Sequence, residues 1–130
     1  MIAPHKQLDK LWQRGRDFLG TEYAILGGAM TWVSERNLVS ALSSAGGFGV
    51  IACGAMTPDL LDGEIAATVA MTDKPFGVNL ITMHPQLEEL IDVCSRTPAI
   101  SAAFSAEELE AMFEPSNHIG VSGGSIERLT

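Results

Sequence analysis

The sequence predicts an α/β domain built from parallel βα units, on three observations. Short apolar runs alternate three times with segments of helical periodicity between Tyr23 and Ser95. Each run closes on small or amide residues: Gly28 to Thr31, Ala52 to Ala55, and Asn79. The hydrophobic content is 46% with only 6% aromatic, the composition of a core rich in Ala, Val, Ile and Leu, as in a sheet covered by helices. In such folds ligands bind at the carboxyl ends of the strands, so the three closing segments are the candidate site.

Leu8, Leu11, Trp12, Gly15, Phe18 and Leu19 share one face of a helix over residues 4–19, and Gly20 stops it. Tyr23 to Gly27 is the first strand. Ser34 is expected to cap a second helix whose buried stripe is Leu38, Ala41, Leu42 and Ala45, ended by Gly46-Gly47. Phe48 to Cys53 is the second strand. Thr57 as N-cap, Pro58 at the first helical position and Asp59 near the positive helix end introduce a third helix, with Leu61, Ile65 and Val69 inward. Pro75 to Leu80 is the third strand, and Pro85 opens a helix carrying Leu87, Leu90, Ile91 and Cys94. Ala99 to Phe104 reads as a fourth strand. Ser105 and Glu108 form a capping box before Leu109, Met112 and Phe113. His118 to Val121 reads as a fifth strand, Gly123-Gly124 as a turn, and Ser125 to Leu129 as a final helical turn.

A chain of 130 residues suggests one domain, residues 1–130. Its 8 basic and 16 acidic side chains give a net charge of −8, which repels phosphate backbones and anionic lipid surfaces. Nucleic acid and membrane partners are therefore not expected, nor is a metal site. The opening residues lack the apolar segment of a secretory signal. Cys53 and Cys94 form no CxxC pair and read as reduced thiols of a cytoplasmic protein. Gly46-Gly47-Phe48-Gly49 follows a helix and precedes a strand, the reverse of a dinucleotide fingerprint.

Three segments carry a more specific signal: Ile25-Leu26-Gly27-Gly28-Ala29-Met30-Thr31-Trp32-Val33-Ser34, Ala45-Gly46-Gly47-Phe48-Gly49-Val50-Ile51, and Thr72-Asp73-Lys74-Pro75-Phe76-Gly77-Val78-Asn79-Leu80. In this order and spacing they resemble the amino-terminal half of the nitronate monooxygenase (2-nitropropane dioxygenase) family. Flavin-dependent enoyl-acyl carrier protein reductases share the pattern. The resemblance covers residues 5–95 and leaves 96–130 as a divergent tail. It implies the first half of an FMN-binding TIM (β/α)8 barrel, truncated, since such barrels need about 250 residues.

On this resemblance Gly28, Ala29, Met30 and Thr31 line the flavin, Cys53 and Gly54 sit beside its ring, and Asn79 hydrogen-bonds its edge. The family's catalytic histidine lies in a Gly-Gly-His-Ile-Gly segment. Asn117-His118-Ile119-Gly120 echoes it without the glycines and much closer to Asn79, so His118 reads as a polar strand-start residue and the catalytic base stays open. His5 and His84 read as surface residues at helix starts. The implied activity is FMN-dependent oxidation of nitronates or nitroalkanes by oxygen, impaired in an isolated half-barrel whose phosphate site is missing. The alternatives are a fragment of the enoyl reductase type and a catalytically silent α/β fragment that self-associates. A complementary barrel half or a second copy would be its partner.

Overall fold

The computed structural model describes residues 4–101 and 105–114. Its contacts divide the chain into two units, residues 1–93 and 94–130. The first opens with α1 (Pro4–Leu19) and continues through β1 (Leu26–Gly27), α2 (Arg36–Ser44), β2 (Phe48–Ala52), α3 (Pro58–Met71) and β3 (Phe76–Asn79). α4 (Leu87–Arg96) runs across the division, with Glu88 and Glu89 in its first turn and Arg96 in its last, each sign facing the favourable helix end. The second unit then holds α5 (Pro98–Ser101) and α6 (Ala106–Phe113).

The three strands form one parallel sheet in the order β1-β2-β3, as the βα alternation predicts. β1 is shorter than the predicted 23–27. Tyr23 and Ile25 reach the sheet only through single bonds, Tyr23 N–H to Gly46 O at 2.8 Å and Phe48 N–H to Ile25 O at 2.8 Å. α1 matches its expected span and ends on Gly20 at φ +66, whose N–H returns to Arg16 O. Thr57 caps α3 through its hydroxyl, which accepts from Leu60 N–H at 3.3 Å.

Register sorts the side chains. Gly27 pairs with Gly49, Ile51 with Val78 and Ala52 with Asn79. Because faces alternate along a strand, Gly27, Gly49, Ile51 and Val78 share the face toward α2, while Leu26, Phe48, Val50, Gly77 and Asn79 share the other. The core lies on the first face, where Val39, Ile51, Leu61 and Ile65 are at most 2% exposed.

α2 buries Val39, Ser40 and Ser43, not the expected stripe. Leu38 is 39% exposed, Ala41 and Ala45 are exposed, and Leu42 is half-buried. Glycines set this rotation. A Cβ on Gly49 would stand 2.6 Å from Val39 O and 2.9 Å from Val39 Cα, so the helix backbone rests directly on the strand. Ser43 Oγ accepts the Gly49 N–H there at 3.1 Å. Gly49→Ala should accordingly cost about 1–3 kcal/mol, because the clash is with backbone that cannot turn aside. A urea midpoint equal to wild type would show that α2 does not sit this close.

In α3 the buried residues are Leu61, Glu64, Ile65 and Thr68, whereas Val69 is 49% exposed. Thr68 and Glu64 replace Val69 because both find partners inside: the Thr68 hydroxyl donates to Glu64 O at 2.8 Å, and Glu64 binds Arg36.

α4 begins at Leu87, two residues beyond the proposed start at Pro85, and buries Leu90, Val93 and Cys94 with Leu87 and Ile91 half-buried. The expected strand over 99–104 is contradicted where it is described, since Pro98–Ser101 is helical and Ile100 N–H bonds to Thr97 O at 2.9 Å. A short apolar run has no periodicity that separates strand from helix, and Pro98 suits a first helical turn. The capping box is present: Glu108 accepts from Ser105 N–H at 2.8 Å, and Ser105 Oγ from Glu108 N–H at 3.2 Å. The readings of 118–129 lie outside the described residues.

Candidate functional site

Parallel strands place their carboxyl ends on one edge of the sheet, so the loops after β1, β2 and β3 share it. The loop after β1 has a defined shape. Met30 O accepts the N–H groups of Val33 at 3.0 Å and Ser34 at 2.8 Å, closing a tight turn in which Trp32 stands at φ +64. Ser34 does not cap α2. Its hydroxyl accepts the Met30 N–H at 3.0 Å and donates to Gly28 O at 3.2 Å, while its carbonyl accepts the Ala52 N–H at 3.0 Å. The cap is Glu35, whose carboxylate accepts from Asn37 N–H at 3.1 Å and Leu38 N–H at 3.3 Å. A serine just before a helix predicts an N-cap, but a short hydroxyl can equally bond preceding backbone, and here it turns back to the loop.

The predicted site residues divide into two groups. Gly28, Ala29, Met30 and Thr31 are exposed on this loop, Met30 at 51%. A Cβ added to Gly28 would meet nothing within 4 Å. Asn79 is half-buried at the end of β3, and its side-chain amide has no hydrogen-bond partner among the described residues. Gly54 is half-buried after β2, with Ile81 folded so closely over it that an added Cβ would overlap Ile81 Cδ1. Cys53 differs. It is fully buried, and its thiol donates to Asn79 O at 2.6 Å, joining the ends of β2 and β3. Burial pushes the thiol up to about 11, so it stays neutral at physiological pH and is no nucleophile.

A flat ring with a polar edge suits the first group, which offers open space over Gly28 and an amide that can donate and accept at Asn79. An apolar recess of about 140 Å³ lies between β1 and α2, lined by Gly28, Met30 and Ser34 of this loop together with Leu38, Val39 and Leu42. It is smaller than the roughly 300 Å³ of a small-molecule pocket. His84 is tied to its own loop, its Nδ1 accepting the Gln86 N–H at 3.1 Å, and His118 lies outside the described residues. No group of three or more potential metal-ligating side chains occurs among the described residues. No described helix is long and apolar enough to cross a membrane.

The pair of Arg36 and Glu64 escaped the sequence reading. Glu64, 6% exposed, accepts from the Arg36 backbone N–H at 2.8 Å and from Arg36 Nε at 3.0 Å. The Arg36 side-chain hydrogen bond holds its carboxyl below the usual carboxylate range, against the opposing effect of burial. The available signal was a charged residue at position 64, inside the stripe of Leu61, Ile65 and Thr68.

Comparison with known proteins decides the lineage. The model of the family described as nitronate monooxygenase matches residues 13–117. The chain belongs to this family. It is a lineage of flavin-dependent oxidoreductases, and the parallel α/β unit fits the opening of their (β/α)8 barrel. A (3aS,4S,5R,7aS)-5-hydroxy-7a-methyl-1-oxo-octahydro-1H-indene-4-carboxyl-CoA dehydrogenase from Mycobacterium tuberculosis is 44% identical over 89 residues, covering 68% of this chain and 25% of that protein. A probable nitronate monooxygenase from Staphylococcus saprophyticus is 35% identical over 78 residues, covering 60% of this chain and 22% of its own length. The structure of FabK from Thermotoga maritima superposes with a TM-score of 0.61 at 46% identity, over 62% of this chain and 26% of that one. The chain thus spans about a quarter of the length of the curated relatives it matches.

Proposed function

We propose that the loops after β1, β2 and β3 form the ring-binding edge of an FMN-dependent oxidoreductase of nitronate monooxygenase type, with nitronates or nitroalkanes as substrates and oxygen as oxidant. The observation that carries this reading is the Asn79 amide, without a hydrogen-bond partner among the described residues, on the same sheet edge as the open space over Gly28. FMN, when bound, supplies the acceptor for the electrons left by removal of the substrate's acidic α-proton. The chain's own part is to seat the ring: Gly28 admits it, Asn79 hydrogen-bonds its edge, and the Gly28 to Thr31 backbone fixes its plane. Cys53 acts from behind, holding the β3 end in place. The buried Cys53 and Cys94 fit a reducing cytoplasmic compartment.

In barrels of this kind the phosphate is held after strands 7 and 8. Three charge-assisted bonds there are worth about 5–9 kcal/mol, so these 130 residues alone should bind FMN roughly three to six decades more weakly than a whole barrel. The purified chain is therefore expected to carry little flavin and to show no measurable nitronate oxidation.

A second reading is an enzyme acting on acyl thioesters. It is favoured by the 44% identity to the carboxyl-CoA dehydrogenase, against 35% to the probable nitronate monooxygenase. The enoyl-acyl carrier protein reductase alternative belongs with it.

Millimolar FMN titrated into the labelled protein tests the common reading. The Asn79 side-chain amide and Gly28 N–H resonances should move. Gly28→Ala should fold with unchanged stability, since its Cβ meets no atom, yet weaken the response at least tenfold. Asn79→Ala should weaken it by about tenfold, the worth of one hydrogen bond of roughly 1.4 kcal/mol. No shift at either residue at saturating flavin would sink the proposal. With a full-length relative, turnover of a nitroalkane anion against that of an enoyl thioester separates the two substrate classes.

A further inference from the structure

We infer that Ser34 is a positioning residue for the flavin-binding loop. This rests on the ring-binding reading of the Gly28 to Thr31 segment. A hydroxyl has one proton to give and two lone pairs, and Ser34 uses it to bridge two backbone groups only two residues apart: it donates to Gly28 O and accepts from Met30 N–H. The Ser34 carbonyl meanwhile accepts the Ala52 N–H from the end of β2. One side chain thus sets the peptide planes between Gly28 and Met30, and the same residue anchors them to the neighbouring strand.

The loop needs such a hold. Gly28, Ala29, Met30, Thr31 and Trp32 are all exposed, so side-chain packing does not fix them. Trp32 at φ +64 is in a conformation that a residue with a side chain enters only when its surroundings impose it. Ser34 is the buried member of the segment, at 3% exposure, and its hydroxyl is the side-chain contact that reaches back across the turn, beside the backbone bonds of Val33 and Ser34 to Met30 O. A flat ligand lying against Gly28 meets backbone already in place, which lowers the ordering cost of binding.

Ser34→Ala tests this. Gly28 and Met30 are exposed, so water takes over the two lost bonds and the unfolding midpoint should hardly change. Amide hydrogen exchange at Met30 should accelerate at least tenfold, and the response of the Asn79 and Gly28 resonances to millimolar FMN should weaken at least tenfold. Glu35→Ala is the control. It removes the cap of the same helix start but leaves the Met30 bond, so it should lower helix stability without changing the FMN response. If Ser34→Ala binds FMN like wild type, the inference is overturned while the ring-binding reading stands. If Glu35→Ala weakens the response as much as Ser34→Ala, the effect belongs to the helix start and the inference again falls. If wild type shows no FMN response, the ring-binding reading fails first and takes the inference with it.

Discussion

Arg36→Ala should lower the unfolding free energy by about 3 kcal/mol, the low end of the cost of breaking a buried ion pair. The two members are unequal. Glu64 has 7% of its side chain exposed and Arg36 has 41%, so removing the arginine strands a carboxylate in the core while removing the glutamate frees a cation that already touches water. Glu64→Gln should therefore cost less than Arg36→Ala, because the amide oxygen still accepts the Arg36 N–H at the start of α2. The pair also predicts an acid limb. The Arg36 hydrogen bonds depress the Glu64 carboxyl, so the folded state takes up this proton less readily than the unfolded chain. The stabilisation is complete above the unfolded carboxylate pKa of about 4.3 and disappears as pH falls through the lower folded value. Urea unfolding at pH 7 and at several lower values checks both points. Wild type should lose stability across this window, and Arg36→Ala should lose less. Parallel acid limbs would remove the pair from the account.

What could be read from the sequence follows from what each feature depends on. α1, the Thr57 and Pro58 start of α3, the Ser105 capping box and the three parallel strands depend on spacing and local chemistry, and all are present. The buried face of α2 depends on Gly49, whose missing side chain draws Val39 onto the strand, and hydrophobic periodicity carries no record of that. The inner and outer faces of the sheet depend on register. Ile25, Val50, Ile51 and Val78 look alike as apolar strand residues, and all four would line the inside of a barrel on composition alone. Pairing puts only Val50 on the face away from α2, while Ile51 is fully buried beneath the helices. The family motifs point to Gly28 and Asn79 as ring-binding residues, a role that belongs to the proposal. Glu64 is not visible in the sequence because its partner Arg36 is brought near only by the fold, and the Ser34 hydroxyl is not because it turns back to Gly28 and Met30 while its carbonyl meets Ala52 of the neighbouring strand.

The largest effect expected of the isolated chain is self-association. Register collects Leu26, Phe48 and Val50 on the sheet face away from α2, where Leu26 is 55% exposed and the other two are half-buried. β1 and β3 are the edges of the sheet among the described residues, and a strand edge offers N–H and C=O groups to another chain. The apolar stripe of α1 adds Leu11 at 76% and Phe18 at 87% exposure. At about 25 cal/mol per Å², even about 400 Å² of such surface carries roughly 10 kcal/mol, as much as the stability of a whole domain. A second copy of the chain is the partner present in a pure preparation: edge pairing would satisfy the strand edges, and face-to-face stacking would cover the open apolar faces. Sedimentation at micromolar concentration should show dimers or larger species, and Leu26→Lys, which puts a charge on that face, should shift them toward monomer. Added βα units from a complementary barrel half should compete for the same face. A compact monomer that unfolds cooperatively at every concentration would mean that the open face needs no partner, and it would refute the self-associating half-barrel.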